Sequence, residues 1–178
     1  MRIFYIDTDE FLKNHDYEFL RQYSENREFK SEKRLIQYSV GRYIVKTVAK
    51  EIFKIPDTAI IVENEKPKFK SGGIYFSISH CENIVAAAFD TAECGLDIEK
   101  IKPRDFNALA ERYNKKFTSA EDFYRFWTEY EAEIKLGKSI TSKYSCIFLE
   151  TFMLTAVSEK ENINAEIALL TDCNEILK

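Results

Sequence analysis

Three short stretches of the chain carry side chains that could do chemistry. In Gly95-Leu96-Asp97-Ile98-Glu99 the alternation of apolar and acidic residues reads as a strand. Such a strand puts Asp97 and Glu99 on one face about 6–7 Å apart and sends Leu96 and Ile98 to the other. Carboxylates that close repel unless a proton or a cation lies between them, and an all-oxygen pair suits a hard ion such as Mg²⁺. Taken alone, the same residues also describe an exposed acidic strand face. The second stretch, Phe126-Trp127-Thr128-Glu129-Tyr130-Glu131-Ala132-Glu133-Ile134-Lys135, has helical spacing. Glu131 and Lys135 share a face at i and i+4, with Trp127 one turn before them. The plain reading is a helix ion pair worth about 0.3–0.5 kcal/mol; a carboxylate crowded by apolar neighbours, by contrast, needs a partner. The third, Phe76-Ser77-Ile78-Ser79-His80, sets a hydroxyl and an imidazole where a strand gives way to a loop, a place where a histidine is also often structural.

These residues need elements to hold them. Residues 2–6 read as a short strand, and 9–30 as helix and loop. From Glu32 to Phe53, Ile36, Val40, Ile44, Val48 and Ile52 recur every fourth residue, which predicts an amphipathic helix ending before Pro56. Arg34, Arg42, Lys46, Lys50 and Lys54 form a cationic stripe on its other side, either a solvated face or an anion-binding one. Strands are predicted at Ala59 to Val62, Ile74 to Ser79, Ile84 to Phe89 and Gly95 to Glu99, with breaks at Gly72-Gly73 and Asp90 to Glu93. Spacings this short favour antiparallel neighbours. After Pro103 the order recurs: helices at 107–113 and 119–136, then strands at 146–150, 152–158 and 166–170. The expectation is an α+β fold of two pseudo-symmetric halves, 1–102 and 103–178, each a long helix on a small antiparallel sheet. The repeat is one of element order, without repeated residues.

Composition narrows the function classes. A chain of 178 residues allows one domain or a tight pair of half-domains. With 45% hydrophobic and 31% charged residues, five glycines and three prolines, disordered and low-complexity classes are excluded. The net charge of −4 argues against nucleic acid as the main partner. Cys81, Cys94, Cys146 and Cys173 form no C-x-x-C pair, so neither a zinc cage nor a compact disulfide framework is suggested, and a reduced cytoplasmic setting fits. The longest apolar run, Ile84 to Phe89, falls far short of the ~20 residues of a membrane span. The start of the chain turns acidic at Asp7 before any signal-like stretch develops.

Together, and in this order, the stretches resemble the 4′-phosphopantetheinyl transferase superfamily, whose signature joins a G-[VIL]-D-[VIL]-E strand to a W-[ST]-x-K-E-[AS]-x-x-K helix. Upstream the chain is similar to the surfactin-synthetase-activating type. Glu65-Lys66-Pro67 stands where that group has G-K-P, Phe76-Ser77-Ile78-Ser79-His80 resembles F-[NS]-[IL]-S-H, and Gly41-Arg42 resembles its S-R or H-R step. The resemblance runs from about Lys33 to Gly137. It implies transfer of the phosphopantetheine arm of coenzyme A to a serine of an acyl carrier protein or of a synthase's carrier domain, releasing adenosine 3′,5′-bisphosphate. It further implies Mg²⁺ held by Asp97, Glu99 and Glu131, with Glu131 accepting the serine proton and Lys135 stabilising phosphate charge. Arg42 would meet the 3′-phosphate of coenzyme A, Ser79 and His80 would donate to phosphate oxygens, and Lys66 and Pro67 would border the adenine. The cleft should lie between the halves, and a monomer is the simpler expectation.

Three departures stand out. Tyr130 replaces the usual Lys before the helix glutamate, Cys81 the usual Ser or Thr after the histidine, and Glu65 the Gly before Lys66. The stretch after Gly137 is also short for the monomeric type. Two other readings remain open: a relative that binds coenzyme A or a carrier without transfer, and a small metal-dependent phosphohydrolase using the same acids.

Overall fold

Helix limits follow from capping chemistry. In the computed structural model, which describes residues 1–103 and 105–170, the first long helix, α3 (Glu32–Glu51), starts where the Ser31 side chain accepts from the Arg34 amide. The second, α5 (Ala120–Leu136), starts where Ser119 accepts from the Asp122 amide and stops at Gly137, whose φ of 68° lies in the left-handed region. Two short helices, α1 (Thr8–Phe11) and α2 (Tyr17–Arg21), are capped by Asp7 and Asp16. A seven-residue helix, α4 (Asn107–Tyr113), precedes α5. Cys173 lies outside the described residues.

The strands are β1 (Arg2–Asp7), β2 (Ile60–Glu63), β3 (Lys66–Phe69), β4 (Tyr75–Cys81), β5 (Ile84–Asp90), β6 (Cys94–Lys100), β7 (Ser142–Phe148), β8 (Phe152–Ser158) and β9 (Glu166–Leu169). They form a four-stranded sheet in the order β4-β5-β1-β9, a three-stranded sheet in the order β6-β8-β7, and a β2-β3 hairpin. The fold is α+β, as expected, with one long helix against each larger sheet. Three details differ from the expectation. β9 pairs parallel to β1, so the four-stranded sheet is mixed. β3 was not foreseen, because Pro67 reads as loop; it is accommodated in a short two-stranded hairpin. The two-residue turn of that hairpin, Asn64-Glu65, has φ of 50° and 64°, the positive values its geometry demands. β7 begins at Ser142, four residues before the expected strand.

Alternation along the strands stacks four layers. From β5, Val85, Ala87 and Phe89 join Val40, Ile44 and Val48 of α3 in one core. The intervening Ile84, Ala86 and Ala88 join Leu96 and Ile98 of β6 and Leu154 and Ala156 of β8 in a second. All seven residues of β5 are buried, which is why this strand reads as a continuous apolar run. On the far side of the three-stranded sheet, Val157 packs with Ala132 and Leu136 of α5. The odd positions of β6 therefore face α5, and Asp97 and Glu99 are among them. No helix among the described residues is long and apolar enough to cross a membrane.

Candidate active site

β4 and β6 are edge strands of different sheets, and the side chains of one serve the backbone of the other. Ser77 Oγ accepts from the Leu96 amide at 3.0 Å, Ser79 Oγ from the Ile98 amide at 3.2 Å, and Cys81 Sγ from the Lys100 amide at 3.3 Å. Every second residue of β4 thus satisfies an amide that β6 leaves unpaired on that edge. This ladder holds the D-x-E strand against the sheet that α3 covers.

Asp97 sits at the middle of the seam. It is 5% exposed, donates nothing and accepts at Oδ1 from Ser79 Oγ at 2.9 Å and from Lys135 Nζ at 2.7 Å. Lys135 also donates to Ser79 Oγ and to the Leu96 carbonyl, each at 2.9 Å, so all three of its ammonium protons are engaged. The sequence reading paired Lys135 with Glu131 along the helix. The structure instead pairs it across to β6, where a half-buried ammonium offsets the desolvation of a buried carboxylate. Gly95 makes this approach feasible: a Cβ there would lie 2.0 Å from the Ala132 carbonyl oxygen. Ser79, whose single proton goes to Asp97, positions that carboxylate, and in this arrangement it has no proton to offer a phosphate.

Glu99 is half-buried. Burial first, then the Asp97 carboxylate, with Glu131 adding to it, holds its carboxyl above the usual range against the opposing Cys81 hydrogen bond and Lys135. Glu131 thus acts electrostatically on the same strand face as Asp97 and Glu99. Asp97 Oδ2 is buried with no hydrogen-bond partner. An orphaned carboxylate oxygen beside a second carboxylate under anionic stress is donor chemistry that fits a hard divalent cation. Among the described residues, however, no three His, Cys, Asp or Glu side chains converge as a ligating group. Lys135 holds the place of positive charge at Asp97. Tyr130 points elsewhere, its ring 5.3 Å from that of Tyr113 in α4 and 6.0 Å from that of Trp127.

The remaining predicted residues line two cavities that share Pro67 and Ile78. The larger, about 790 Å³, runs between the β2-β3 hairpin, β4 and the end of α5, and is bordered by Lys66, Lys135 and Lys138. Lys66 does not project freely into it: its ammonium donates to the Leu136 carbonyl and pairs with Glu93 at 3.1 Å. The smaller, about 380 Å³, gathers Arg34, Arg42, Pro67 and His80 with Gln37 and Tyr38. Arg42 was expected on a stripe that could be solvated; it is 5% exposed, because the chain after α2 folds over it. Gln37, Tyr38 and Glu25 escaped sequence reasoning. Tyr38 and Arg42 stand at i and i+4, but nothing local announces that Glu25 reaches them.

Burial, reinforced by the Lys135 and Arg34 charges, pulls the His80 imidazole below its ordinary value of 6.5. A lowered histidine makes the unfolded chain the stronger proton binder, so its contribution to stability is lost as pH falls through 6.5 toward the folded value. His80→Gln is expected to flatten the drop in melting temperature between about pH 7.5 and about pH 5.5; equal slopes for the two proteins would count against this assignment.

No family model matches the chain. Among curated proteins, the 4′-phosphopantetheinyl transferase psf-1 of Bacillus pumilus is similar to it, with 34% identity in an alignment of 122 positions that covers 57% of this chain and 50% of that protein. The chain therefore spans about half the length of the curated relative it matches. The resemblance carried by the motifs is supported by this identity to a protein bearing the same family name.

Proposed function

We propose that the chain transfers the phosphopantetheine group of coenzyme A to a serine hydroxyl of an acyl carrier protein or a carrier domain. The observation that carries this reading is the seam itself. Acidic residues of β6, the cation of α5 and the basic cavity under α3 lie along one line of contact between the two sheets. That is the charge distribution needed by a ligand with a phosphate at one end and a reacting pyrophosphate at the other. In the reaction the serine Oγ forms a bond to the pantetheine phosphorus, the pyrophosphate P–O bond breaks, and adenosine 3′,5′-bisphosphate departs with the electron pair.

Each residue has a task in this scheme. Arg42 offers its unpartnered Nη1 to the 3′-phosphate, with Arg34 and His80 in the same cavity wall. Lys66 and Pro67 border the adenine from β3. Glu131 accepts the serine proton, a service worth roughly 10²–10⁴-fold in rate when geometry and protonation state are right. Lys135 trades one of its internal hydrogen bonds for a phosphate oxygen and keeps the rest of its hold on Asp97. Asp97, Glu99 and Glu131, which do not converge on one point in the structure, would have to draw together to hold Mg²⁺, which supplies Lewis-acid neutralisation of the phosphate oxygens when bound. Ser79 acts through Asp97 by fixing its rotamer.

The deciding experiment is a mass measurement on an apo carrier incubated with this protein, coenzyme A and Mg²⁺. The expected result is a carrier heavier by one phosphopantetheine group and no gain when the divalent ion is chelated. Tight binding of coenzyme A without that gain would instead favour a non-transferring binding protein.

A further inference from the structure

The buried Arg42 already has an anion of its own. Its Nε lies 3.4 Å from Glu25 Oε1 and donates to the Tyr38 hydroxyl at 3.1 Å, and that hydroxyl donates to Glu25 Oε2 at 2.5 Å. The Glu25 carboxylate thus covers one edge of the guanidinium. Nη1, on another edge, is buried without a hydrogen-bond partner, and Arg42 lines the smaller cavity, where Arg34 and His80 also stand. A guanidinium that is half paired, next to a cavity with further bases, is a phosphate site partly filled by a side chain.

Glu25 is held by a segment built to let go. Glu25 and Asn26 have φ of 54° and 57°, a region unfavourable for a side chain such as Glu. Beyond them the segment rests on Tyr38, with the Arg27 guanidinium 4.9 Å from its ring centre and the Phe29 ring 5.2 Å away. A second cation stands one turn further along α3: Lys46 Nζ is 4.0 Å from the same Glu25 Oε1. A carboxylate leaving Arg42 therefore reaches a replacement partner with little motion.

We propose that Glu25 is an internal counter-ion which the ligand's phosphate displaces from Arg42, the carboxylate passing to Lys46. This rests on the nucleotide reading of the smaller cavity. Glu25 keeps Arg42 neutralised while the cavity is empty and opposes every bound phosphate by the strength of its own contact. It is a positioning residue that sets how tightly the nucleotide end is held and how readily the bisphosphate product leaves.

The test is calorimetric titration of the full chain, its Glu25→Gln variant and its Arg42→Met variant with 3′-AMP and with adenosine. Glu25→Gln is expected to bind 3′-AMP about ten-fold tighter, the scale of one partly buried charge contact, and adenosine no tighter. Arg42→Met is expected to weaken 3′-AMP. Weakening in Arg42→Met with no tightening in Glu25→Gln would overturn the displacement and leave the nucleotide reading standing. Unchanged 3′-AMP binding in Arg42→Met would overturn both. Should Glu25→Gln melt too low to titrate, Glu25→Asp, with a shorter reach to Arg42, is expected to shift 3′-AMP in the same direction, and a shift the other way would equally sink the proposal.

Discussion

Glu131→Gln is expected to lower carrier modification by about 10³-fold while the melting temperature stays within a few degrees of the parent. Gln keeps the size and helix propensity of Glu, so the face that α5 presents to β6 is preserved. What disappears is the negative charge that would bind a divalent ion and the basic oxygen that would take the serine proton. Because Glu131 and Asp97 both add to the electrostatic load on Glu99, Asp97→Asn is expected to lose activity on a similar scale. It should differ in a second readout: Asp97 is the buried partner of Lys135 at 2.7 Å, and removing its charge leaves a half-buried ammonium paired only with neutral oxygens. A loss of about 1–2 kcal/mol in Asp97→Asn, with little in Glu131→Gln, separates a residue that also holds the structure from one that serves the reaction. Carrier mass shift and thermal melting read the two effects, and full transfer by Glu131→Gln would refute its assigned role.

Gly95→Ala is expected to cost about 3 kcal/mol or more, a fall in melting temperature on the order of 10 °C for a chain of this size. An added Cβ would lie 2.0 Å from the Ala132 oxygen, 2.9 Å from the Ala132 carbonyl carbon and 3.0 Å from the Leu136 amide nitrogen. All three atoms belong to helix backbone, so no side-chain rotation relieves the clash and α5 must lift as a body. Lifting separates Ala132 and Leu136 from Val157 and draws Lys135 away from Asp97, so activity should fall with stability. A melting temperature unchanged by the substitution would show that α5 can ride further from β6 than the packing indicates.

Much of the fold was legible because it rests on local physics. The period-4 apolar stripe of α3, the helical spacing of α5, and the alternation in β4 and β6 are all decided by near neighbours in the chain. β3 was missed because local rules set Pro67 against a strand, while pairing with β2 across a tight turn supplies what local preference withholds. The start of β7 was missed for a related reason. Its residues alternate in burial only weakly, and its place comes from β8, to which it pairs along its full length.

The candidate site divides along the same line. Residue types and spacing alone put Asp97 and Glu99 on one strand face and Glu131 and Lys135 on one helix face, since those relations follow from the geometry of a strand and of a helix. Which groups meet across the gap is a different matter, settled by long-range packing. Only the folded chain joins Lys135 to Asp97 instead of Glu131, spends the hydroxyls of Ser77 and Ser79 on the amides of β6, and brings Glu25 onto a buried Arg42. Pairing of this kind depends on how closely two elements approach, and that distance is set by the absence of a Cβ at Gly95 and by the burial of neighbouring surfaces, quantities that have no signature in the spacing of the residues themselves.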